Sequence, residues 1–337
     1  MKRICLFLLC LCLMLSGCGK LQSEADNNNT LEVHYIDVGQ ADCTFLRCNG
    51  QTMLIDGGNA EDSDLVVSYL LNQNVKKLDY VVNTHAHEDH VGGLPGVLAV
   101  FEVGAVWCPV TEYSSSCFED FAHYADQQYL KLTMPEIGST YALGEAEITV
   151  LGPVKDYEET NDTSIVLRVD HGSNAFLFTG DAEAAAEKDI LEYGMDVAST
   201  VLKVGHHGSD TSTCYQWLRE VSPQYAVISV GEDNSYGHPH EVILSRLRDA
   251  GVTVYRTDLQ GHIVCLSNGE TVTFSTNKDV PVTNPTEKTE YYIGNKNSQK
   301  LHLPTCSGVP KAENQVVFFS YDLAVAFGYT PCSICLG

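Results

Sequence analysis

Histidine and carboxylate residues are concentrated in one short run of the sequence, His85-Ala86-His87-Glu88-Asp89-His90. Imidazole and carboxylate side chains suit zinc, manganese and related divalent ions. In a tight loop, His85 and His87 can face one ion while Asp89 and His90 face a second. A histidine-rich surface loop without an ion is the alternative interpretation. We favour a metal site, because the run follows an apolar, strand-like segment and precedes a segment typical of a helix start.

Three later apolar segments of strand length also end in residues that can bind a metal. The first leads to Asp181, the second to the pair His206-His207 and the third to His238. Buried strands that deliver polar side chains to one edge of a sheet are how α/β folds assemble sites. The Asp181 carboxylate has two oxygens and can bridge two ions. The pattern therefore predicts a site for two divalent metal ions, zinc or manganese.

A two-metal site predicts a hydrolase. Two ions about 3.5–4 Å apart lower the pKa of a shared water toward about 7 and polarise a phosphoryl or carbonyl oxygen. We see no serine or cysteine nucleophile motif, so attack by metal-bound hydroxide is the economical mechanism. Lys203, Ser209 and Asn234 are predicted to hold an anionic substrate. His238 is predicted either to donate a proton to the leaving group or only to cap the helix that follows.

Four further residues lie close to these segments. Asp37, Asp42 and Asp56 can orient the ligand histidines or cap turns, and we expect a structural role for Asp37 and Asp42. His171 lies in a turn-like His-Gly-Ser sequence and is expected to be an exposed loop residue.

Residues 85–90 match the signature His-x-His-x-Asp-His in full, and the chain resembles the metallo-β-lactamase superfamily. Within that superfamily, the region Leu31–Phe274 is most similar to the hydrolase domain of ComEC-type competence proteins. The resemblance implies an α/β fold, a four-layer αββα sandwich with the site at one edge between two sheets. The matching stretches are Ile36–Asp42, Leu54–Gly58, Leu177–Asp181, Leu202–Ser209 and Tyr236–His240.

The resemblance also implies metal ligands and a reaction. Carried over by position, His85 and His87 hold one metal, Asp89 and His90 hold the other, and Asp181 bridges them. Hydrolysis is the reaction that the superfamily implies.

Two parts of the ligand set remain open. We predict His207 as a ligand and His206 as a residue that contacts substrate or supports a ligand. Together with Asp89 and His238, His206 forms the predicted catalytic set. Many superfamily members place another histidine ligand before the bridging aspartate, where this chain has Asn161–Ser164. One metal is therefore expected to be held more weakly.

A separate cluster of possible ligands lies near the end of the sequence. His302 and Cys306 have i,i+4 spacing, and Cys332 and Cys335 form a Cys-x-x-Cys pair. A Cys₃His set is typical of structural zinc, and a disulfide is the alternative. The segment Gly328–Cys332 resembles the metal-binding module of the Ada DNA-repair protein, which has four cysteine ligands. Because His302 replaces the methyl-accepting cysteine, the resemblance implies zinc binding without methyl transfer.

The first residues of the chain read as an export signal. Lys2 and Arg3 precede the apolar run Ile4–Leu15, which is too short to span a bilayer comfortably. The sequence Leu15-Ser16-Gly17-Cys18 resembles a bacterial lipobox, and an ordinary cleaved signal is the alternative. We predict a signal peptide over 1–17, a lipid on Cys18 and a polar tether over 18–30. The protein is then anchored to the outer face of the cell membrane.

Length and charge complete the prediction. The 337 residues suffice for a hydrolase domain over 31–276, a Pro- and Thr-rich linker over 277–290 and a zinc-binding module over 291–337. The formal net charge of −24 argues against nonspecific nucleic-acid binding through a basic face. It leaves a nucleic-acid substrate possible, because bound metals change the local charge.

The leading hypothesis is an exported phosphodiesterase, a nuclease that acts on DNA or RNA. The first alternative is a phosphorylcholine or teichoic-acid esterase of the cell surface. The second is a surface binding protein with a vestigial metal site. No protein partner is predicted.

Overall fold

The computed structural model describes residues 29–280, 291–318 and 321–337. The predicted signal peptide, Cys18 and most of the predicted tether lie outside these ranges, as do residues 281–290 of the predicted linker. Within the described ranges, no helix combines the length and apolar character needed to cross a membrane.

The strands of the hydrolase region form two large sheets. In chain order they are β1 Leu31–Tyr35, β2 Thr44–Cys48, β3 Gln51–Ile55, β4 Lys77–Val82, β5 Glu102–Trp107, β6 Leu132–Thr133, β7 Thr140–Leu143, β8 Ala146–Gly152, β9 Val166–His171, β10 Asn174–Phe178, β11 Val201–Lys203, β12 Tyr225–Ile228, β13 Thr253–Arg256, β14 Ile263–Ser267 and β15 Val272–Thr276. The first sheet has the order β15-β14-β1-β2-β3-β4-β5-β6, and the second has the order β13-β12-β11-β10-β9-β8-β7. Strands β3 and β4 are parallel, as are β10, β11 and β12. The loops that follow parallel neighbours collect at one edge of each sheet.

Helices cover the outer faces of both sheets. The helices of this region are α1 Ser63–Asn72, α2 Glu88–Val91, α3 Leu94–Val100, α4 Ser116–Gln127, α5 Ala184–Tyr193, α6 Tyr215–Val221, α7 Glu241–Asp249 and α8 Thr257–Gln260. Of these, α1, α3 and α4 pack on the first sheet, and α5, α6 and α7 pack on the second. In α4, the Ser115 side chain accepts the N–H of Phe118 and caps the helix start. The buried residues Phe118, Phe121 and Ala125 recur at helical spacing, so α4 turns one apolar face to the sheet.

Three apolar cores separate the four layers. Between the sheets lie residues such as Tyr35 and Phe176, whose side chains belong to one cluster. A second core joins the first sheet to α1, α3 and α4, and a third joins the second sheet to α5, α6 and α7 around Trp217. Strand β10 is buried along its whole length, because layers cover both faces of its sheet. The predicted αββα sandwich is confirmed.

One local prediction is wrong. His171 ends β9 and is 1% exposed, whereas an exposed loop residue was expected. Its Nδ1 lies 2.9 Å from the hydroxyl of Ser267, so the ring is part of the packing between sheets.

The C-terminal module has its own small sheet. Its strands are β16 Tyr292–Asn295, β17 Lys300–His302, β18 Gln315–Phe318 and β19 Thr330–Pro331, in the order β18-β16-β17-β19, with helix α9 Tyr321–Ala326. The module packs on α6 and α7. The rings of Tyr215 and Tyr321 stack with centroids 5.3 Å apart, and Arg246 donates to the carbonyl of Gly337 at 2.9 Å.

Two buried charged residues hold the segment before α6. The Glu187 carboxylate accepts the backbone N–H groups of Thr213 and Cys214 at 2.5 and 2.9 Å. Arg246 donates to the carbonyls of Ser212 and Thr213 at 3.2 and 3.0 Å. Buried charges persist only where such partners compensate the loss of water. The segment follows the loop after β11, so this clamp fixes one border of the predicted site.

The Glu187 clamp predicts a pH-dependent stability. Burial raises the pKa of Glu187 to about 7, although the two backbone N–H donors lower it. The folded protein then binds this proton more tightly than the unfolded chain, so the contribution of Glu187 is lost as pH rises through about 7. We expect the difference in unfolding free energy between wild type and Glu187→Ala to fall by about 2–3 kcal/mol from pH 5 to pH 8.

Denaturant unfolding of both proteins at the two pH values measures this change. The exposed Glu192 lies on the same helix, and Glu192→Ala is the control that should show no such dependence. A Glu187 contribution that increases with pH would contradict the assignment.

Candidate metal centre

The strand ends that were predicted to carry ligands meet at one edge of the two sheets. The segment after β4, which runs into α2, carries His85–His90, the loop after β10 carries Asp181, and the segment after β11 carries His206 and His207. A set of possible ligand atoms from Asp89, His90, Asp181 and His207 lies with all members within 4.8 Å of one another.

Asp181 lies at the centre of this cluster and is 2% exposed. Its Oδ2 is 3.9, 3.3, 3.7 and 3.6 Å from the Nε2 atoms of His85, His90, His206 and His207, respectively. This is the position predicted for a bridging carboxylate.

Asp56 orients His90. The Nδ1 of His90 lies 2.8 Å from Asp56 Oδ2, and Thr84 donates its backbone N–H and its hydroxyl to the same carboxylate, each at 2.7 Å. A carboxylate on Nδ1 fixes the ring and leaves Nε2 as the ligand atom. Of the two roles considered for Asp56, the structure supports the orienting one.

His85 and His87 face each other across a short gap. The Nε2 of His85 and the Nδ1 of His87 are 3.0 Å apart. On the other side of the His85 ring, Nδ1 lies 3.2 Å from the hydroxyl of Thr84 and 3.4 Å from the hydroxyl of Ser164. Burial and the neighbouring His90 lower the pKa of His85 well below its usual value, so this imidazole is neutral and has a lone pair to offer.

His206 and His207 have left-handed backbone conformations, with φ of 48° and 53°. Residues with a Cβ adopt this region rarely, and such strain is concentrated at functional sites. The Nδ1 of His207 donates to the carbonyl of Ser229 at 3.0 Å, which leaves Nε2 for a metal. The Nδ1 of His206 lies 3.2 Å from Glu183 Oε1. The structure therefore turns both Nε2 atoms toward the cluster, and not only that of the favoured His207.

Lys203 does not have the predicted contact with substrate. It is 3% exposed, and its Nζ donates to the equally buried Asp42. Asp42 Oδ1 in turn lies 3.5 Å from Nδ1 of His207. Burial raises the pKa of Asp42, but Lys203 and His207 lower it to about 2. The pair thus lies beneath a predicted ligand, and this placement agrees with both roles considered for Asp42, to orient a ligand histidine or to act structurally.

Ser209 and Asn234 also do not fit their predicted substrate contacts. Ser209 is 4% exposed, and its hydroxyl bonds to that of Thr211 at 3.0 Å. Asn234 brackets the backbone of His238, accepting its N–H at 3.0 Å and donating to its carbonyl at 2.6 Å. Both side chains hold loops in place and have their polar atoms engaged there.

His238 lines the cleft over the cluster. The cleft has a volume of about 370 Å³, and its lining residues are Gln40, His87, Asp89, Asn161, Asp181, His206, His207, Tyr236 and His238. The residue at the start of α7 is His240, so capping does not explain His238. Burial and the neighbouring His207 lower the pKa of His238 to about 4, so the ring is neutral near pH 7.

Asn161 lies in the segment before Asp181 where many superfamily members have a further histidine ligand and this chain has none. Its Nδ2 donates to Glu183 Oε1 at 3.0 Å, and its buried Oδ1 makes no hydrogen bond to any residue that the structure describes. An oxygen in this position can accept from a ligand in the cleft. The sequence indicated this residue only through the absence of a histidine.

The donor set fits divalent cations. The buried atoms His90 Nε2 and Asp181 Oδ1 have no hydrogen-bond partner among the described residues. Burial lowers the pKa of His90, but Asp181 and Asp56 raise it well above its usual value. The carboxylates of Asp181 and Asp56 thus stabilise positive charge beside His90. A divalent cation brings two positive charges to this place, whereas a proton on His90 brings one. Imidazole nitrogens and carboxylate oxygens are ligands for zinc and manganese.

A second donor set lies in the C-terminal module. The ligand atoms of His302, Cys306, Cys332 and Cys335 all lie within 4.8 Å of one another, and the three cysteines are free thiols. Backbone N–H groups of Leu303 and Gly308 donate to the sulfurs of Cys335 and Cys306, each at 3.3 Å. Such donors support thiolate ligands. The set fits the predicted Cys₃His zinc site better than the alternative disulfide.

The comparisons with known proteins agree with the signature and the fold. The family model described as Metallo-beta-lactamase superfamily matches residues 36–232. ComE operon protein 3 of Bacillus subtilis is 28% identical over 263 residues, which is 72% of this chain and 34% of that protein. Competence protein ComA of Neisseria gonorrhoeae is 32% identical over 252 residues, which is 74% of this chain and 34% of that protein.

A further relative is Ribonuclease Z of Bacillus thuringiensis, 28% identical over 155 residues, which is 45% of this chain and 47% of that protein. The chain spans about a third of the length of the two competence-related relatives. The residues matched by the family model include the predicted ligands from His85 to His207 and strands of both sheets. The chain therefore belongs to the metallo-beta-lactamase superfamily and is a metal-dependent hydrolase related to the competence proteins.

Proposed function

We propose that this hydrolase is a phosphodiesterase that cleaves DNA or RNA outside the cell, held at the membrane surface by a lipid on Cys18. The observation that carries the proposal is one buried carboxylate oxygen, Asp181 Oδ2, placed among the Nε2 atoms of four histidines. When bound there, two divalent ions lower the pKa of a water and polarise a phosphoryl oxygen. The lipid anchor rests on the lipobox resemblance alone.

The chain's own residues bind and orient the substrate. His238 is neutral near pH 7, so it offers the cleft a hydrogen bond and no charge. Asn161 Oδ1 accepts a hydrogen bond from a sugar or base. Tyr236 lines the same cleft and is 67% exposed, which gives a flat surface on which a base can stack.

Two relatives support nucleic acid as the substrate. One is named a competence protein and another a ribonuclease. The net charge of −24 opposes long-range attraction of a polyanion. We therefore expect phosphate contact to depend on the metal ions in the site, with weak binding of nucleic acid elsewhere on the surface.

A second candidate, a phosphorylcholine or teichoic-acid esterase of the cell surface, is favoured by an acidic cleft beside the site. This cleft has a volume of about 530 Å³ and shares Gln40, Asp89 and Tyr236 with the first. An acidic surface next to the site would attract a cationic headgroup carried by the same phosphodiester. Its other acidic lining residues are Asp37, Glu61, Asp62 and Glu88.

Asp181→Asn tests the hydrolase site. The amide keeps the shape but removes the charge that the surrounding imidazoles face, so we expect bound metal to decrease and kcat to fall by at least about 100-fold. Metal analysis and cleavage of single-stranded DNA, duplex DNA, RNA, bis(p-nitrophenyl) phosphate and phosphorylcholine diesters with added Mn²⁺ or Zn²⁺ measure both effects. The exposed Asp120 on α4 allows the matched control Asp120→Asn, which should change neither.

The substrate pattern separates the candidates. Cleavage of nucleic acid that Asp181→Asn abolishes supports the nuclease. Cleavage of phosphorylcholine diesters without cleavage of nucleic acid supports the esterase. A wild type with no bound metal and no activity would contradict both and leave a surface binding protein.

We also propose that the C-terminal module holds one structural zinc ion. Cys332→Ser removes a thiolate from the closed donor set, so we expect loss of one zinc equivalent and a lower thermal midpoint, with kcat retained while the protein is folded. Cys117 is a half-buried free thiol outside the module, and Cys117→Ser is the control. Equal zinc content and midpoint in Cys332→Ser and wild type would contradict the assignment.

A further inference from the structure

Gln40 lies between a fixed backbone donor and the ring of His238. The N–H of Gly231 donates to Gln40 Oε1 at 3.2 Å. Because a backbone N–H can only donate, the amide oxygen must face Gly231, and the amide nitrogen of Gln40 must face the other way. There it meets Nδ1 of His238 at 3.3 Å. The orientation of the Gln40 amide is therefore determined by the backbone and not by the histidine.

This orientation decides where His238 carries its proton. An amide –NH₂ group has no acceptor to offer, so Nδ1 of His238 must accept and cannot hold a hydrogen. The ring is then neutral with its proton on Nε2. The ring lines the cleft together with Asp89, Asp181 and His207. Because Nδ1 is engaged by Gln40, Nε2–H is the N–H donor that the ring has left to offer there.

The surroundings of the pair leave little freedom for another arrangement. A Cβ on Gly231 would lie 2.6 Å from the backbone nitrogen of Gln40, so glycine is what permits this close approach. Asn234 holds the backbone of His238 on both sides of the residue. The ring of His238 stacks on Tyr236, with centroids 5.6 Å apart and planes at 24°.

We propose that Gln40 is a positioning residue that keeps His238 in the Nε2–H tautomer, so that this N–H donates a hydrogen bond to an oxygen of the phosphodiester in the cleft. The tautomer is independent of the activity, whereas the substrate contact rests on the proposed function. A donor fixed in advance and aimed at an oxygen that gains negative charge stabilises the transition state more than the ground state. The contact is therefore expected to act on kcat more than on KM.

Nitrogen NMR of the full, zinc-loaded chain with ¹⁵N-labelled histidine tests the tautomer directly at pH 8, and His238→Gln identifies the signals. We expect Nε2–H in the wild type. In Gln40→Glu the carboxylate accepts from Gly231 and from the histidine, so the proton moves to Nδ1. We expect kcat on bis(p-nitrophenyl) phosphate to fall by about 100-fold, with a smaller change in KM.

Gln128 provides a matched control. Like Gln40, it uses its side-chain amide both as acceptor and as donor, but it lies away from the cleft. It accepts the N–H of Val103 and donates to the carbonyl of Phe101. Gln128→Glu should leave both the tautomer of His238 and kcat unchanged.

Three results would overturn the proposal: a wild-type His238 with its proton on Nδ1, a Gln40→Glu variant that keeps Nε2–H, or a reversed tautomer with unchanged kcat. The spectrum of the wild type alone shows which nitrogen of His238 carries the proton, even if the Gln40→Glu variant fails to fold. A wild type that hydrolyses no phosphodiester would count against the proposed function instead, and the spectra would still decide the tautomer.

Discussion

The buried charge of Asp181 is the constraint on which the rest of the site depends. A carboxylate that is 2% exposed must be compensated, because an isolated buried charge is costly. Four imidazoles provide partners from strand ends of both sheets, and their Nε2 atoms converge on one oxygen. The ligand set exists only when the two sheets are packed together. Metal binding and the stability of the sandwich are therefore coupled, since a cation held there favours the folded state.

A second layer of contacts orients the imidazoles. The Asp56 carboxylate accepts a hydrogen bond from Nδ1 of His90, and the Ser229 carbonyl accepts one from Nδ1 of His207. The ion pair of Lys203 and Asp42 lies beneath His207 and is sheltered from solvent. Breaking a buried pair leaves an uncompensated charge, so a change at either residue is expected to disturb the ligand above it. The short segments around Asp42 and Asp56 matter for this reason, although neither residue faces the cleft.

The sequence indicated the predicted metal ligands far better than it indicated the residues that hold these ligands and their loops in place. Histidines and an aspartate directly after apolar strands are unusual enough to indicate a site. The structure groups four of the six predicted ligands, Asp89, His90, Asp181 and His207, and places His85 beside Asp181 and His87 beside His85. The role of Lys203 could not be predicted, because the burial of its side chain depends on Asp42, 161 positions away along the chain. Similarly, Asn234 bonds to the backbone of His238, and nothing in the local sequence tells a loop clamp from a substrate contact.

The C-terminal module is connected to the active-site region through the fold and not through the cleft. Among the described residues that line the two clefts, none comes from residues 291–337. Instead, Arg246 joins the module to the segment before α6, donating to Gly337 on one side and to Ser212 and Thr213 on the other. Glu187 holds the same segment from a third direction. Because this segment follows the strained His206-His207 loop, the module contributes to the stability of the fold that carries these two imidazoles, and its described residues line neither cleft.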